Sequence, residues 1–132
     1  MNLQIPLSSE QTLLLILVPM LVVVIGMRLY LHLVRVTHVY IGGHVFRHLF
    51  QGVILVIPAG FILAFAPQQP WLMVLALAVF GASSGMILDE IVYLMATKTT
   101  DEDYVSGLSL RGSIWFNIIG AIVLFTIYML LT

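Results

Sequence analysis

The sequence lacks cysteine and has few charges. Of its 132 residues only 8% are charged, and 5 Lys+Arg against 6 Asp+Glu leave a formal net charge of -1. Without cysteine the chain cannot form a disulfide, a zinc–thiolate site, an iron–sulfur cluster or a thiol nucleophile. Without a basic excess it cannot neutralise a phosphate backbone, which excludes nucleic acid as a partner. Any chemistry must come from His, carboxylate, Arg, Tyr or Ser side chains.

Apolar residues take the place of the missing charges. They make up 61% of the chain, against about 45–50% in ordinary soluble domains. A hydrocarbon core about 30 Å thick needs around 20 helical residues to cross it. We therefore predict an all-α polytopic membrane protein, with one membrane domain over residues 1–132 and four transmembrane helices at 11–33, 45–66, 71–97 and 105–131.

The connections between the predicted helices indicate how they run. They are short, and short connections make consecutive helices antiparallel neighbours, so the sequence predicts an up-down-up-down four-helix bundle. The positive-inside rule then places both termini outside and the two charged connections in the cytoplasm, which for a prokaryotic protein means the inner membrane. The rule rests on five basic residues that all lie towards one end of the predicted bundle: Arg28, Arg35, Arg47, Lys98 and Arg111.

Two adjacent carboxylates, Asp89 and Glu90, lie inside the apolar stretch of the third predicted helix. A carboxylate at that depth costs several kcal/mol unless it faces the bundle interior or a partner. Successive helical residues point about 100° apart. We therefore expect at most one of the two to face the centre of the bundle directly, and the helical faces favour Glu90.

A first hypothesis for this end of the bundle is a metal site. His44 and His48 are four residues apart, a spacing that places two imidazoles on one helical face. A carboxylate from a facing helix would complete three protein ligands with one open position. The sequence predicts that His44, His48 and Glu90, supported by Asp89 or His32, bind one divalent transition metal, Zn, Fe or Mn. Such a metal would act on a lipid or another apolar substrate.

The alternative hypothesis is a structural ion pair. Arg28 lies several residues inside the first predicted helix, where a pair with Asp89 or Glu90 would neutralise both charges without a ligand. In that case the protein is a non-catalytic subunit or assembly factor of a larger membrane complex. Its partners would be the lipid bilayer and other membrane subunits or a second copy of the chain, and the cytoplasmic loops would dock the complex. Whether the protein is an enzyme stays open at this point.

Small and polar residues also mark the last two helices. The third carries Gly-Ala-Ser-Ser-Gly at 81–85, and the fourth carries Ser109, Ser113 and Asn117 at helical spacing, with Gly120 beyond them. Small residues let membrane helices approach closely, and hydroxyls hydrogen-bond across the contact. We predict close packing of these two helices and a hydrogen bond from Asn117 to a neighbouring helix.

Overall fold

The computed structural model describes residues 7–34, 40–41, 44–45, 47–65, 69–96 and 107–131. Each of the four long helices found in this part of the chain is long and apolar enough to cross a membrane. The prediction of four helical segments consistent with an integral membrane protein is thereby confirmed. The elements are α1 (Ser9–Leu33), β1 (Tyr40–Ile41), β2 (His44–Val45), α2 (His48–Phe65), α3 (Pro70–Ala96) and α4 (Gly107–Leu131).

Helix α1 begins at Ser9, slightly earlier than predicted, because a capping box precedes it. The Gln11 backbone N–H donates to Ser8 Oγ at 3.2 Å, and the Ser8 N–H donates to Gln11 Oε1 at 3.0 Å. This reciprocal pair satisfies two backbone donors that would otherwise lack a partner at the start of the helix. Because the capping residues are polar, the apolar run that predicts this helix begins only after them.

Helix α2 begins at His48, later than predicted, because a short antiparallel hairpin comes first. Tyr40 pairs with Val45, and Ile41 pairs with His44. The intervening sequence, Gly42-Gly43, is typical of two-residue hairpin connections. His44 therefore belongs to a strand, and the prediction that it shares a helical face with His48 is wrong.

Helix α3 is the centre of the fold. It packs against α1, α2 and α4, while α1 and α4 also contact each other. In the described part of the chain no comparable packing joins α1 to α2 or α2 to α4. The expectation that consecutive helices are packed neighbours therefore holds for α2–α3 and α3–α4 but is wrong for α1 and α2, which both pack on α3.

Two glycines of α3 bring α1 close. A Cβ atom added to Gly81 would lie 2.1 Å from the carbonyl oxygen of Ile16, and one added to Gly85 would lie 2.6 Å from that of Met20. Any side chain at these positions would push the helix backbones apart. The prediction that the glycines of this helix serve the contact with the fourth helix is wrong, because they face α1.

The other two contacts of α3 are also close. A Cβ atom at Gly52 of α2 would lie 2.8 Å from Ile87 Cγ1 and 2.9 Å from the Ser83 carbonyl oxygen. On the α4 side, a Cβ atom at Gly120 would lie 3.0 Å from Leu88 Cδ1, so the predicted packing of the third and fourth helices is confirmed. Three helices approach α3 closely, and its residues 81–90 lie among them.

Candidate functional site

A buried ion pair joins α1 to α3. Arg28 Nε lies 2.8 Å from Asp89 Oδ1 and donates a hydrogen bond to it. Only 8% of Arg28 and 3% of Asp89 are exposed, so water cannot stabilise either charge. A guanidinium and a carboxylate at this distance form a charge-assisted hydrogen bond, which is stronger than a bond between neutral groups.

Two serines of α4 complete the surroundings of this pair. Arg28 Nη2 donates to Ser109 Oγ at 3.2 Å, and Ser113 Oγ donates to Asp89 Oδ1. Both serines are fully buried. Because their spacing is one helical turn, they lie on the same face of α4 and meet the two charged groups together. These four residues, Arg28, Asp89, Ser109 and Ser113, form a polar cluster that connects three helices.

The second carboxylate, Glu90, faces a different helix. Its Oε2 accepts a hydrogen bond of 2.5 Å from the backbone N–H of Leu49 in the first turn of α2. The first N–H groups of a helix have no partner within the helix, and its N-terminus attracts negative charge. Glu90 therefore acts as an N-terminal cap supplied by another helix.

Both carboxylates are buried, each only 3% exposed. Both can be buried although they point in different directions, because α3 has neighbours on several sides. Asp89 faces α1 and α4, and Glu90 faces α2.

The residues of the predicted metal site do not form one ligand group among the described residues. No three His, Asp or Glu side chains there lie close enough together to hold an ion. His48 is half-buried at the first position of α2, next to the Leu49 N–H that binds Glu90. The side chains of His32 and His44 lie outside the described part of the chain.

Asn117 continues the polar face of α4 by one more turn. Its Nδ2 donates to the Ser113 carbonyl oxygen at 2.9 Å, which is a bond within its own helix. Its Oδ1 is buried and has no hydrogen-bond partner among the described residues. The prediction of a bond from Asn117 to a neighbouring helix is therefore wrong.

The hydrogen-bond partners of Ser109, Ser113 and the Leu49 N–H were not predicted from the sequence. Two features of the sequence could have predicted these contacts. Ser109, Ser113 and Asn117 repeat every four residues, which predicts a single polar face directed at buried charges. Helix α2 also begins without an acidic residue in its first turn, so its unpaired N–H groups need an acceptor from elsewhere.

Comparisons of the chain with protein-family models, with curated proteins and with solved structures found no match.

Proposed function

We propose that this protein is a non-catalytic subunit or assembly factor of a larger membrane complex. The observation that carries the proposal is the Arg28–Asp89 pair, which lies in contact with Ser109 and Ser113. A catalytic or ligand-binding centre needs charged groups that can reach a ligand. Here Arg28 and Asp89 bind each other and two hydroxyls of the chain, which connects α1, α3 and α4, and Glu90 binds the Leu49 backbone N–H.

The proposal includes the predicted topology. Contacts between α1 and α3 advance in the same direction along both helices, from Ile16 and Gly81 to Met20 and Gly85, which supports a parallel arrangement. Contacts between α2 and α3 run in opposite directions, since Leu49 meets Glu90 and Gly52 meets Ser83. These registers support an up-down-up-down path.

The positions of the basic residues support one orientation of this bundle in the membrane. Arg28, Arg47 and Arg111 belong to the end of the bundle that carries the polar cluster, while Arg35 and Lys98 lie outside the described residues. We infer from the positive-inside rule that this end is cytoplasmic, with both termini outside, in the inner membrane of a prokaryote. The cytoplasmic connections would then be the segments available to a partner.

The test is purification from native membranes in a mild detergent. We expect the chain to migrate with a different membrane protein in a fixed ratio. Replacing the acidic run Asp101, Glu102 and Asp103 with Asn, Gln and Asn should release that partner, because these carboxylates belong to a predicted cytoplasmic connection. The same variant should leave the unfolding of the isolated chain unchanged. If the protein, expressed at its natural level, is recovered only as a monomer or only as a homo-oligomer, the proposal is contradicted.

Metal binding is the second candidate function. The contact between Glu90 and the Leu49 N–H favours it, because this contact brings a carboxylate to the turn of helix that begins with His48. The third ligand would come from His44 or His32, and Asp89 would be unavailable while it pairs with Arg28. The metal would be a divalent transition ion such as Zn, Fe or Mn, which imidazole and carboxylate ligands suit.

Metal analysis of the purified protein separates the two candidates. A metal site predicts about one transition-metal ion per chain in the wild type and its loss in the double variant His48→Ala/Glu90→Gln. The Arg111→Gln variant, changed at an exposed residue of α4, is the matched control and should keep the metal. Equal, substoichiometric metal in all three proteins would eliminate this candidate and leave the first unaffected.

A further inference from the structure

The amide oxygen of Asn117 requires a hydrogen-bond donor that the described residues do not supply. Asn117 is only 3% exposed, and its Oδ1 is buried without a partner in the described part of the chain. Buried polar atoms are nearly always hydrogen-bonded, so such an atom indicates an additional group at that position. In the middle of an apolar helix, bulk water cannot supply the donor.

The assignment of the two amide atoms is fixed by the helix itself. Asn117 Nδ2 lies 2.9 Å from the carbonyl oxygen of Ser113 and donates to it. Exchanging the two atoms would place Oδ1 against that oxygen, and two acceptors at this distance repel each other. The atom that lacks a partner is therefore the acceptor, and its ligand must be a donor.

The charges nearby exclude an ionic ligand. One turn away, Ser113 donates to Asp89, whose charge Arg28 already balances. A bound cation would therefore add an uncompensated positive charge to a buried site, which is costly. An anion would face a carbonyl-type oxygen that cannot donate to it. A neutral hydroxyl group adds no charge and can donate a hydrogen bond to Oδ1.

We propose that Asn117 binds a buried water molecule between α4 and its neighbours. The residues around it are enclosed, with Ser113 fully buried and Asp89 3% exposed, which favours the smallest hydroxyl donor. A buried water typically makes about three hydrogen bonds. Asn117 Oδ1 accepts one, and the lone pairs of Ser113 Oγ, one turn away, offer a place for a second. The water extends the polar cluster by one turn towards the middle of the membrane, and this inference does not depend on the proposed function.

The direct test is nuclear magnetic resonance of the wild-type protein in detergent micelles. The side-chain N–H protons of Asn117 should show a cross-relaxation peak with a water molecule that resides there longer than surface water. Spectra of an Asn117→Leu sample identify which amide signals belong to this residue. Absence of that cross-peak in the wild type, with the Asn117 side-chain signals resolved, would overturn the proposal.

The change in stability caused by Asn117→Leu gives a second test, because the direction of that change depends on whether Asn117 binds the water. Leucine has a similar size and cannot hold the water, so we expect the unfolding equilibrium constant to rise about tenfold as the hydrogen bonds are lost. If Oδ1 instead had no partner, relief of its desolvation penalty would offset the loss of the Nδ2 bond to the Ser113 carbonyl oxygen, and the constant would fall or stay nearly unchanged. Thr126→Val, which removes a hydroxyl bonded within α4 to the Ile122 carbonyl, is the control and should change the constant little.

Discussion

Replacing Arg28 with leucine should lower the free energy of unfolding by about 3–5 kcal/mol. The substitution leaves the Asp89 carboxylate buried without the guanidinium that lies 2.8 Å away. It also removes the donor that Ser109 Oγ accepts from. Unfolding of the purified protein in mixed micelles, followed by circular dichroism as the denaturing detergent increases, measures the change.

Arg111→Leu is the matched control for this prediction. Arg111 is an exposed residue of α4, so the same chemical change there removes a charge that is not buried. We expect its free energy of unfolding to stay within about 0.5 kcal/mol of the wild type. Equal losses in the two variants would show that the effect comes from net charge, and would contradict a specific role for Arg28.

Replacing Gly81 with alanine should lower the free energy of unfolding by up to about 3 kcal/mol. The added methyl group would lie 2.1 Å from the Ile16 carbonyl oxygen, which is backbone and cannot rotate away. Helix α1 must therefore move off α3, and the contacts of the buried Met20 with α3 are weakened. The same detergent unfolding experiment measures the loss.

Gly60→Ala is the control for the glycine prediction. Nothing lies within 4 Å of a Cβ atom placed at Gly60 in α2. Alanine favours a helix over glycine by about 0.5–1 kcal/mol, so this variant should be as stable as the wild type or slightly more stable. A loss at Gly60 as large as that at Gly81 would mean that close approach to Ile16 is not what requires glycine.

The features predictable from the sequence follow from the length of its apolar runs and from the cost of placing charges inside them. Four runs of apolar residues long enough to cross it predict four helices, and four are present in the described part of the chain. Carboxylates inside such a run must be buried, and Asp89 and Glu90 are. Arg28 and Asp89 both lie towards the C-terminal ends of their helices. An ion pair between Arg28 and Asp89 or Glu90 was therefore one of the two hypotheses drawn from the sequence, beside the metal site.

The arrangement of the helices around α3 could not be predicted in the same way. In a soluble helix, polar residues mark the outer face, but here the exposed faces are apolar as well, so the hydropathy pattern does not show which helix each face meets. The sequence consequently does not show that Gly81 meets α1 while Gly52 of α2 meets Ser83. The hairpin before α2 was missed because the residues that follow Gly42-Gly43 fit the start of a helix as well as a strand.

The most direct test of the central claim, that Arg28 and Asp89 form one neutral structural pair, is a double-mutant cycle. It compares the unfolding free energies of the wild type, Arg28→Leu, Asp89→Leu and the double variant. The paired arrangement predicts that the double variant is more stable than Arg28→Leu alone, because no uncompensated charge is left buried. Losses that simply add, with the double variant the least stable of the four, would contradict it.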